Sequence, residues 1–321
     1  MSQIEQFEIT VSQEVAGLRL DQALARLLPQ FSRSRLKEWV LNGNVTVDGV
    51  TRKPRDRVVG GELLRVRAEM PPAAAVEPEP ISLQVLYEDE SIIVIDKPPG
   101  LVVHPGAGNP GGTLQNALLH HRPELAEVPR AGIVHRLDKD TSGVMVVAAG
   151  VTDHTDLVRQ LEKRSVQREY RAVCDGVLTA GGTVDAPIGR HHGDRLRMAV
   201  RQGGRPAVTH YRVVERFRAH TDLRATLETG RTHQIRVHLA HLGYPLVGDR
   251  TYGGRLRVPK GASEELRQAL RGFRRQALHA VRLQLIHPRS GEEVEFTSPL
   301  RSDHESLLAA LRRDAESMRD G

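Results

Sequence analysis

The sequence predicts an α+β protein, a mainly antiparallel sheet with attached helices, preceded by a small αα-β module. Three observations carry that prediction. From about residue 81 onward, short apolar runs are broken by glycine and proline, the pattern of a sheet built from short strands. Before residue 70, apolar residues recur first at helical and then at alternating spacing. Between these regions, Met70-Pro71-Pro72-Ala73-Ala74-Ala75-Val76-Glu77-Pro78-Glu79-Pro80 holds four prolines, which no continuous helix or strand tolerates. The expected division is a module over 1–70, a Pro-rich linker over 71–80 and a large domain over 81–321.

In the module, Leu20, Ala23, Leu24, Leu27 and Leu28 lie on one helical face, and Pro29 stops the helix. Ser32 is the expected cap of a second helix that buries Leu36, Trp39 and Val40. Asn42-Gly43 ends it. Val45 and Val47 form a short strand, Asp48-Gly49 a hairpin turn, and Glu62 to Val66 a further strand. Arg33, Arg35 and Lys37 project from the second helix, and Arg52, Lys53, Arg55 and Arg57 follow the hairpin. Singly, each is ordinary solvated surface; together, two basic clusters on so small a unit favour contact with phosphates.

In the large domain, Val85-Leu86-Tyr87 and Ile92 to Asp96 frame a turn at Asp89-Glu90. Lys97-Pro98-Pro99-Gly100 ends the second strand, and Val102 to Pro105 is expected to resume it. Thr113 to Leu119 opens a helix. Further strands are expected over 144–148, 169–174, 208–214, 223–229 and 281–286. The stretch 255–275 carries Arg255, Arg257, Lys260, Arg267, Arg271, Arg274 and Arg275 against two glutamates, and is expected as a basic helix and loop that face an anionic partner, with a solvated helix as the alternative. A short amphipathic helix is expected over 303–318.

Composition narrows the function classes. The 321 residues carry a formal charge of +6, which points to an anionic partner, nucleic acid before membrane. Aromatics make up 3%, so any ring used for stacking comes from a short list. Cys174 is the only cysteine, which excludes an internal disulfide and fits a reducing compartment. The N-terminus lacks a signal-peptide pattern and no run approaches the roughly 20 apolar residues of a membrane span. A cytoplasmic protein is expected. No dinucleotide-binding glycine loop or phosphate-loop Lys-Ser/Thr pair occurs.

Candidate chemistry lies in three clusters. His135-Arg136-Leu137-Asp138-Lys139-Asp140-Thr141-Ser142-Gly143 runs straight into the apolar Val144 to Ala149. An isolated Asp is usually a cap or turn residue. Arg136, two residues earlier, points to the same side if the segment is extended, where a guanidinium would keep a carboxylate ionised. Spacing leaves open whether Asp138 or Asp140 is that carboxylate. The second cluster, Glu228 to Leu239, reads as strand, glycine turn and helix start. Its Arg231, His233 and His238 are either packing residues or an anion-binding corner whose arginine partners an acid elsewhere. His233, His238 and His241 lack zinc-site spacing, and no metal is expected. The third cluster is Arg168-Glu169-Tyr170-Arg171-Ala172-Val173. Its tyrosine is either core or a platform for a base.

Taken together and in order, these clusters resemble the RluA-type RNA pseudouridine synthases. Asp96 to Gly100, Thr209-His210-Tyr211, Leu246-Val247-Gly248-Asp249 with Tyr252-Gly253, and Gln276 to Ala280 extend the resemblance over about 85–300. Residues 17–66 resemble the S4-type RNA-binding domain, which makes Arg33, Arg35 and Lys37 candidates for RNA contact. The resemblance implies cofactor-free isomerisation of uridine. The N1–C1′ bond breaks, the uracil turns while still held, and C5 joins C1′. Asp138 is then the catalytic aspartate, acting at C1′ or on the C2′ proton. Arg136 fills the gap left by the flipped nucleotide, Tyr170 stacks on the base, and Arg236 pairs with Asp138. Arg231 and His233 are left to support or RNA contact.

The layout resembles family members that modify 23S ribosomal RNA in the loop of helix 69. The expected partner is therefore that RNA or a large-subunit assembly intermediate, met by a monomer. The alternatives are a synthase of the same family acting on tRNA or another 23S site, and a non-catalytic RNA-binding assembly factor. Ala149-Gly150 and Arg205 depart from the family's usual lysines, away from the expected chemistry.

Overall fold

The structure, a computed structural model, describes residues 3–29, 31, 33–70, 76–106, 108–194 and 196–317. The chain divides into two compact units, Met1–Ala75 and Val76–Gly321.

The first unit comprises β1 (Gln3–Thr10), α1 (Leu20–Leu27), α2 (Arg33–Leu41), β2 (Val45–Val47), β3 (Val50–Thr51) and β4 (Leu63–Met70). Its sheet has the order β1-β4-β2-β3, and all pairs are antiparallel. Leu20, Leu24, Leu36, Trp39, Val45, Val47, Leu64 and Val66 close its core. Asp48 and Gly49 both take positive φ, the geometry of a tight hairpin. Strand β1 was not foreseen; it depends on pairing with β4, some 60 residues away. Ser32, the expected cap, lies outside the described residues.

The second unit begins with β5 (Val85–Glu88), β6 (Ile92–Lys97), α3 (Leu114–His121), β7 (Ser142–Ala148), α4 (Val151–Glu162) and β8 (Gln167–Asp175). It continues with β9 (Gly182–Asp185), β10 (Ile188–Arg190), β11 (Met198–Val200), β12 (Val208–Arg216), β13 (His220–Leu227) and α5 (Gln234–His241). It ends with α6 (Glu264–Gly272), β14 (Leu278–Ile286), β15 (Glu293–Thr297) and α7 (Ser302–Ser317). The main sheet has the order β5-β6-β7-β14-β8-β13-β12-β9, and β15 also pairs with β14. Among its named strand pairs only β7 and β14 are parallel, through Ser142 with His279 and Gly143 with Ala280. The α+β expectation holds.

Strands β6 and β7 are buried throughout, which explains their unbroken apolar runs. Gly143 has φ +116, and a Cβ there would lie 2.2 Å from the Ala280 carbonyl oxygen, so only glycine allows β14 this close.

Two expectations need correction, and a third is narrowed. Val102 to Pro105 does not resume a strand. Val102 makes one isolated bridge to Thr113, and the Leu101 carbonyl is taken by the Lys97 ammonium. Of the expected linker, 71–75 lie outside the described residues, while 76–80 are held against α3. There Asn116 Nδ2 donates to the Glu77 carbonyl, and Glu79 accepts from Gly112 N. The 255–275 stretch is a helix only over Glu264–Gly272, and that helix buries Leu266 and Leu270 against α7. Its Arg267 pairs with Glu264, and Arg275 pairs with Asp303.

Candidate active site

The segment that carries Asp138 has no regular structure of its own and is fixed from its surroundings. The Lys97 ammonium, fully buried, donates to the carbonyls of Pro98, Leu101 and Lys139 at 2.8, 2.9 and 3.0 Å. Burial pulls its pKa down to about 7, with the charges of Asp140 and Asp138 opposing that shift. Gly100 N also donates to the Lys139 carbonyl, and Gln276 Nε2 donates to Thr141 Oγ1. On the other side, Val146 N donates to His135 Nε2 at 3.2 Å. The loop is thus clamped at both ends, just where it enters β7.

Opposite it, Thr229 to Gln234 makes a tight turn from β13 into α5. Gln234 is buried and uses both ends of its amide. Its Oε1 accepts from Thr229 Oγ1 and Arg231 N, while its Nε2 donates to the Val208 carbonyl and Thr209 Oγ1. His233 takes φ +58 at the start of the helix. This sends Arg236, on the first turn of α5, inward.

Arg236 Nη1 donates to Asp138 Oδ2 at 2.9 Å, across 98 residues of sequence. Its Nε and Nη2 make a two-pronged contact with Asp249, at 2.7 and 2.9 Å. Burial alone would lower the pKa of Arg236; the hydrogen bonds and charge of Asp249, with Asp138 behind them, outweigh it and raise it. The Tyr252 ring covers the guanidinium at 5.0 Å, and Tyr252 Oη shares a 2.8 Å hydrogen bond with His233 Nδ1. His233 Nε2 lies 3.9 Å from Asp138 Oδ1. Burial lowers the His233 pKa, so the ring beside Asp138 favours its neutral form.

Asp138, His233, Gln234 and Arg236 wall a cavity of about 340 Å³, lined also by Tyr170, Arg168, Arg136 and Arg231. Tyr170 is 5% exposed, and burial raises its phenol pKa. The cavity therefore offers an oriented carboxylate, a neutral phenol and a dense set of cationic donors within a partly dry space. That equipment suits covalent or proton-transfer chemistry on a substrate that carries or develops negative charge.

The sequence profile of the RNA pseudouridylate synthase family matches residues 91–241, and that of the S4 domain matches 18–64. The chain is 57% identical to Ribosomal large subunit pseudouridine synthase D of Escherichia coli (strain K12), over 100% of this chain and 98% of that one. It is 58% identical to the protein of the same name from Vibrio parahaemolyticus, over 96% of this chain and 95% of that one. The chain belongs to the RluA-type RNA pseudouridine synthases. Among solved structures, the synthase resembles human RNA Pseudouridylate Synthase Domain Containing 4. The TM-score is 0.56 at 27% identity, covering 71% of this chain and 93% of that one. The human Domain Containing 1 protein gives 0.52 at 27% identity, over 76% and 98%.

In the synthase, Asp138, Tyr170, Arg236, Arg136, Arg231 and His233 all line one cavity. Asp140 does not line it, which separates the two aspartates that spacing left open. Arg136 is exposed at the rim and makes no ion pair with Asp138 among the described residues, so the guanidinium beside that carboxylate is that of Arg236. Arg231 donates to the Pro206 carbonyl through Nε and lies near Arg205 and Arg164, whose charges lower its pKa after burial does. His238 bonds to Thr209 and the Ala186 carbonyl in the interior. On the separate S4 unit, Arg33, Arg35 and Lys37 are exposed on α2, and Arg33 shares Asp21 with Arg19.

Asp249, Tyr252, Gln234 and Lys97 have no role in the sequence analysis. All four stand in segments that carry the family resemblance, and the acid of Asp249 and the ring of Tyr252 are the available signal.

Burial also holds the synthase's His135 and His304 imidazoles down to about 3. Between about pH 6.5 and 3 the unfolded chain takes up protons that the folded one refuses, so stability falls as pH drops through that window. Denaturant midpoints at about pH 7 and about pH 5 are expected to differ, with a smaller difference in His304→Leu. Equal midpoints in the wild-type chain would contradict this.

Proposed function

We propose that this chain converts uridines of 23S ribosomal RNA to pseudouridine, in the loop of helix 69. The observation that carries the reading is the Asp138 carboxylate held by Arg236 at the wall of a cavity that also contains Tyr170. The name of these relatives supports a large-subunit ribosomal target.

In this reading, the RNA gives up a looped uridine, at a cost of a few kcal/mol of unstacking, and its base enters the cavity. Asp138, oriented by Arg236, acts at C1′ or on the C2′ proton as the N1–C1′ bond breaks. Tyr170 stacks on the freed uracil and keeps it within reach while C5 turns to C1′. Exposed Arg136 occupies the gap in the RNA, and Arg231 and His233 support the bound nucleotide. The S4 unit adds phosphate contacts through Arg33, Arg35 and Lys37, and the basic residues of 255–275 add more. The chain acts as a monomer in the cytoplasm, on 23S RNA or a large-subunit assembly intermediate.

Nucleotide-resolution mapping of pseudouridine in 23S RNA and total tRNA, with and without the gene product, tests the reading. Loss of helix 69 marks, restored by wild type but not by Asp138→Asn, is expected. Loss at other sites replaces the target, and no loss at any site favours an RNA-binding assembly factor.

Deleting residues 1–75 is expected to weaken RNA affinity about tenfold, or about 1.4 kcal/mol. The single-turnover rate at saturating RNA should stay within about threefold, because the cavity is built wholly from the second unit. Filter binding and rapid quench separate the two. An unchanged affinity would remove the S4 unit from RNA recognition.

A further inference from the structure

Two arginines are buried among the described residues, Arg236 at 6% exposure and Arg168 at 8%. They are treated in opposite ways. Arg236 has two carboxylates. Arg168 has no ion pair with any described residue, and its Nε has no hydrogen-bond partner. Its strand partner on β14 is Leu283. Burying an unpaired charge costs several kcal/mol, and folds accept such a cost mainly where function requires it.

Arg168 precedes Tyr170 by two residues on β8, so the strand sends both side chains to one face, and both line the cavity beside Asp138. Room for it is kept by Gly230. A Cβ there would lie 2.8 Å from Arg168 Nη1, although the backbone at Gly230 does not have the positive φ that demands glycine. The guanidinium is thus buried, without a partner among the described residues, and given space in the cavity wall.

We propose that Arg168 is a catalytic residue that holds the detached uracil as an anion. The inference rests on the reading of the chain as a uridine isomerase. When the N1–C1′ bond breaks, both its electrons leave with the base, and the negative charge spreads over N1 and the two carbonyl oxygens. The sugar is balanced by an ester to Asp138 or by loss of its C2′ proton to Asp138. C5 then supplies the pair that joins C1′, displacing the Asp138 carboxylate from its ester or adding to the glycal as Asp138 returns the C2′ proton. The C5 proton departs and N1 regains a proton, so the net change is isomerisation. A guanidinium that meets its counter-charge only after bond cleavage stabilises that state more than the neutral bound uridine, which is what lowers a barrier. A backbone phosphate is the other anion RNA carries, but it stays with the strand at the mouth, where exposed Arg130 and Arg136 stand.

The test uses the full chain and a 23S transcript made with either uridine or 5-fluorouridine, whose fluorine itself stabilises the departing anion. Arg168→Met is expected to slow first-turnover cleavage of N1–C1′ about 100-fold with uridine but only about tenfold with 5-fluorouridine. RNA affinity should stay within about threefold, and thermal stability should not fall, since an unpaired buried charge has been removed. Arg168→Lys should recover part of the rate, and Gly230→Ala, which crowds the guanidinium, should lose part of it.

A rate within about threefold of wild type overturns the proposal. So does an equal loss with both transcripts, a loss confined to affinity (the mark of a phosphate contact), or a loss explained by a lower melting temperature. A wild-type chain that converts no uridine overturns the isomerase reading and this inference with it.

Discussion

Asp138→Asn is expected to lower the single-turnover isomerisation rate by about 10⁴-fold or more, with RNA affinity within about threefold of wild type. Asn keeps the shape of Asp but supplies neither a nucleophile nor a base. The fold should survive the change because Arg236 keeps its two-pronged bond to Asp249, so its charge is not orphaned. The variant therefore separates chemistry from architecture. Rapid-quench conversion and filter binding on the same transcript measure the two effects. A near-wild-type rate would remove Asp138 from the chemistry, and a collapse of affinity or melting temperature would turn it into a structural residue.

Asp249→Ala should act in the opposite sense, through architecture first. The Asp249 side chain is 1% exposed and accepts from Arg236 Nε and Nη2 and from the backbone of Thr251 and Tyr252. Its loss leaves the Arg236 charge with Asp138 alone, a break in a buried pair that costs about 3–5 kcal/mol. In a unit of this size, that lowers the melting temperature by roughly 10 °C. The rate should also fall about 100-fold, because a guanidinium that swings free no longer fixes the Asp138 carboxylate. Calorimetry and saturating single-turnover kinetics would test both effects. Asp249→Asn, which keeps an acceptor for the backbone amides, should recover part of the stability and less of the rate. An unchanged melting temperature with an unchanged rate would mean that Asp138 alone holds Arg236.

Where strands are buried on both faces they were readable from residue order. The apolar runs of β6 and β7 leave no other use for those residues, and the Asp48-Gly49 turn sets its hairpin by backbone geometry. Elements that depend on distant pairing were not. Strand β15 alternates half-buried and exposed residues and exists through β14. Helix α4 begins Val151-Thr152-Asp153, a poor helical opening, and is held on β7 by Leu157 and Leu161.

The site divides in the same way. Sequence alone determined that this is a basic α+β protein with an S4-like module, and that Asp138, Tyr170, Arg231, His233 and Arg236 stand in three chemistry-bearing segments. Those are properties of residue type and short spacing, which a linear pattern records. The family resemblance already named Asp138 and its pairing with Arg236, which the tertiary structure sets at 2.9 Å. Only the tertiary structure decided that Asp249 anchors Arg236 and that Arg168 is left without a partner among the described residues. Each of these is a distance between side chains brought together from separate strands and loops. The order β7-β14-β8-β13 and the turn into α5 set those distances, and local periodicity carries no information about them.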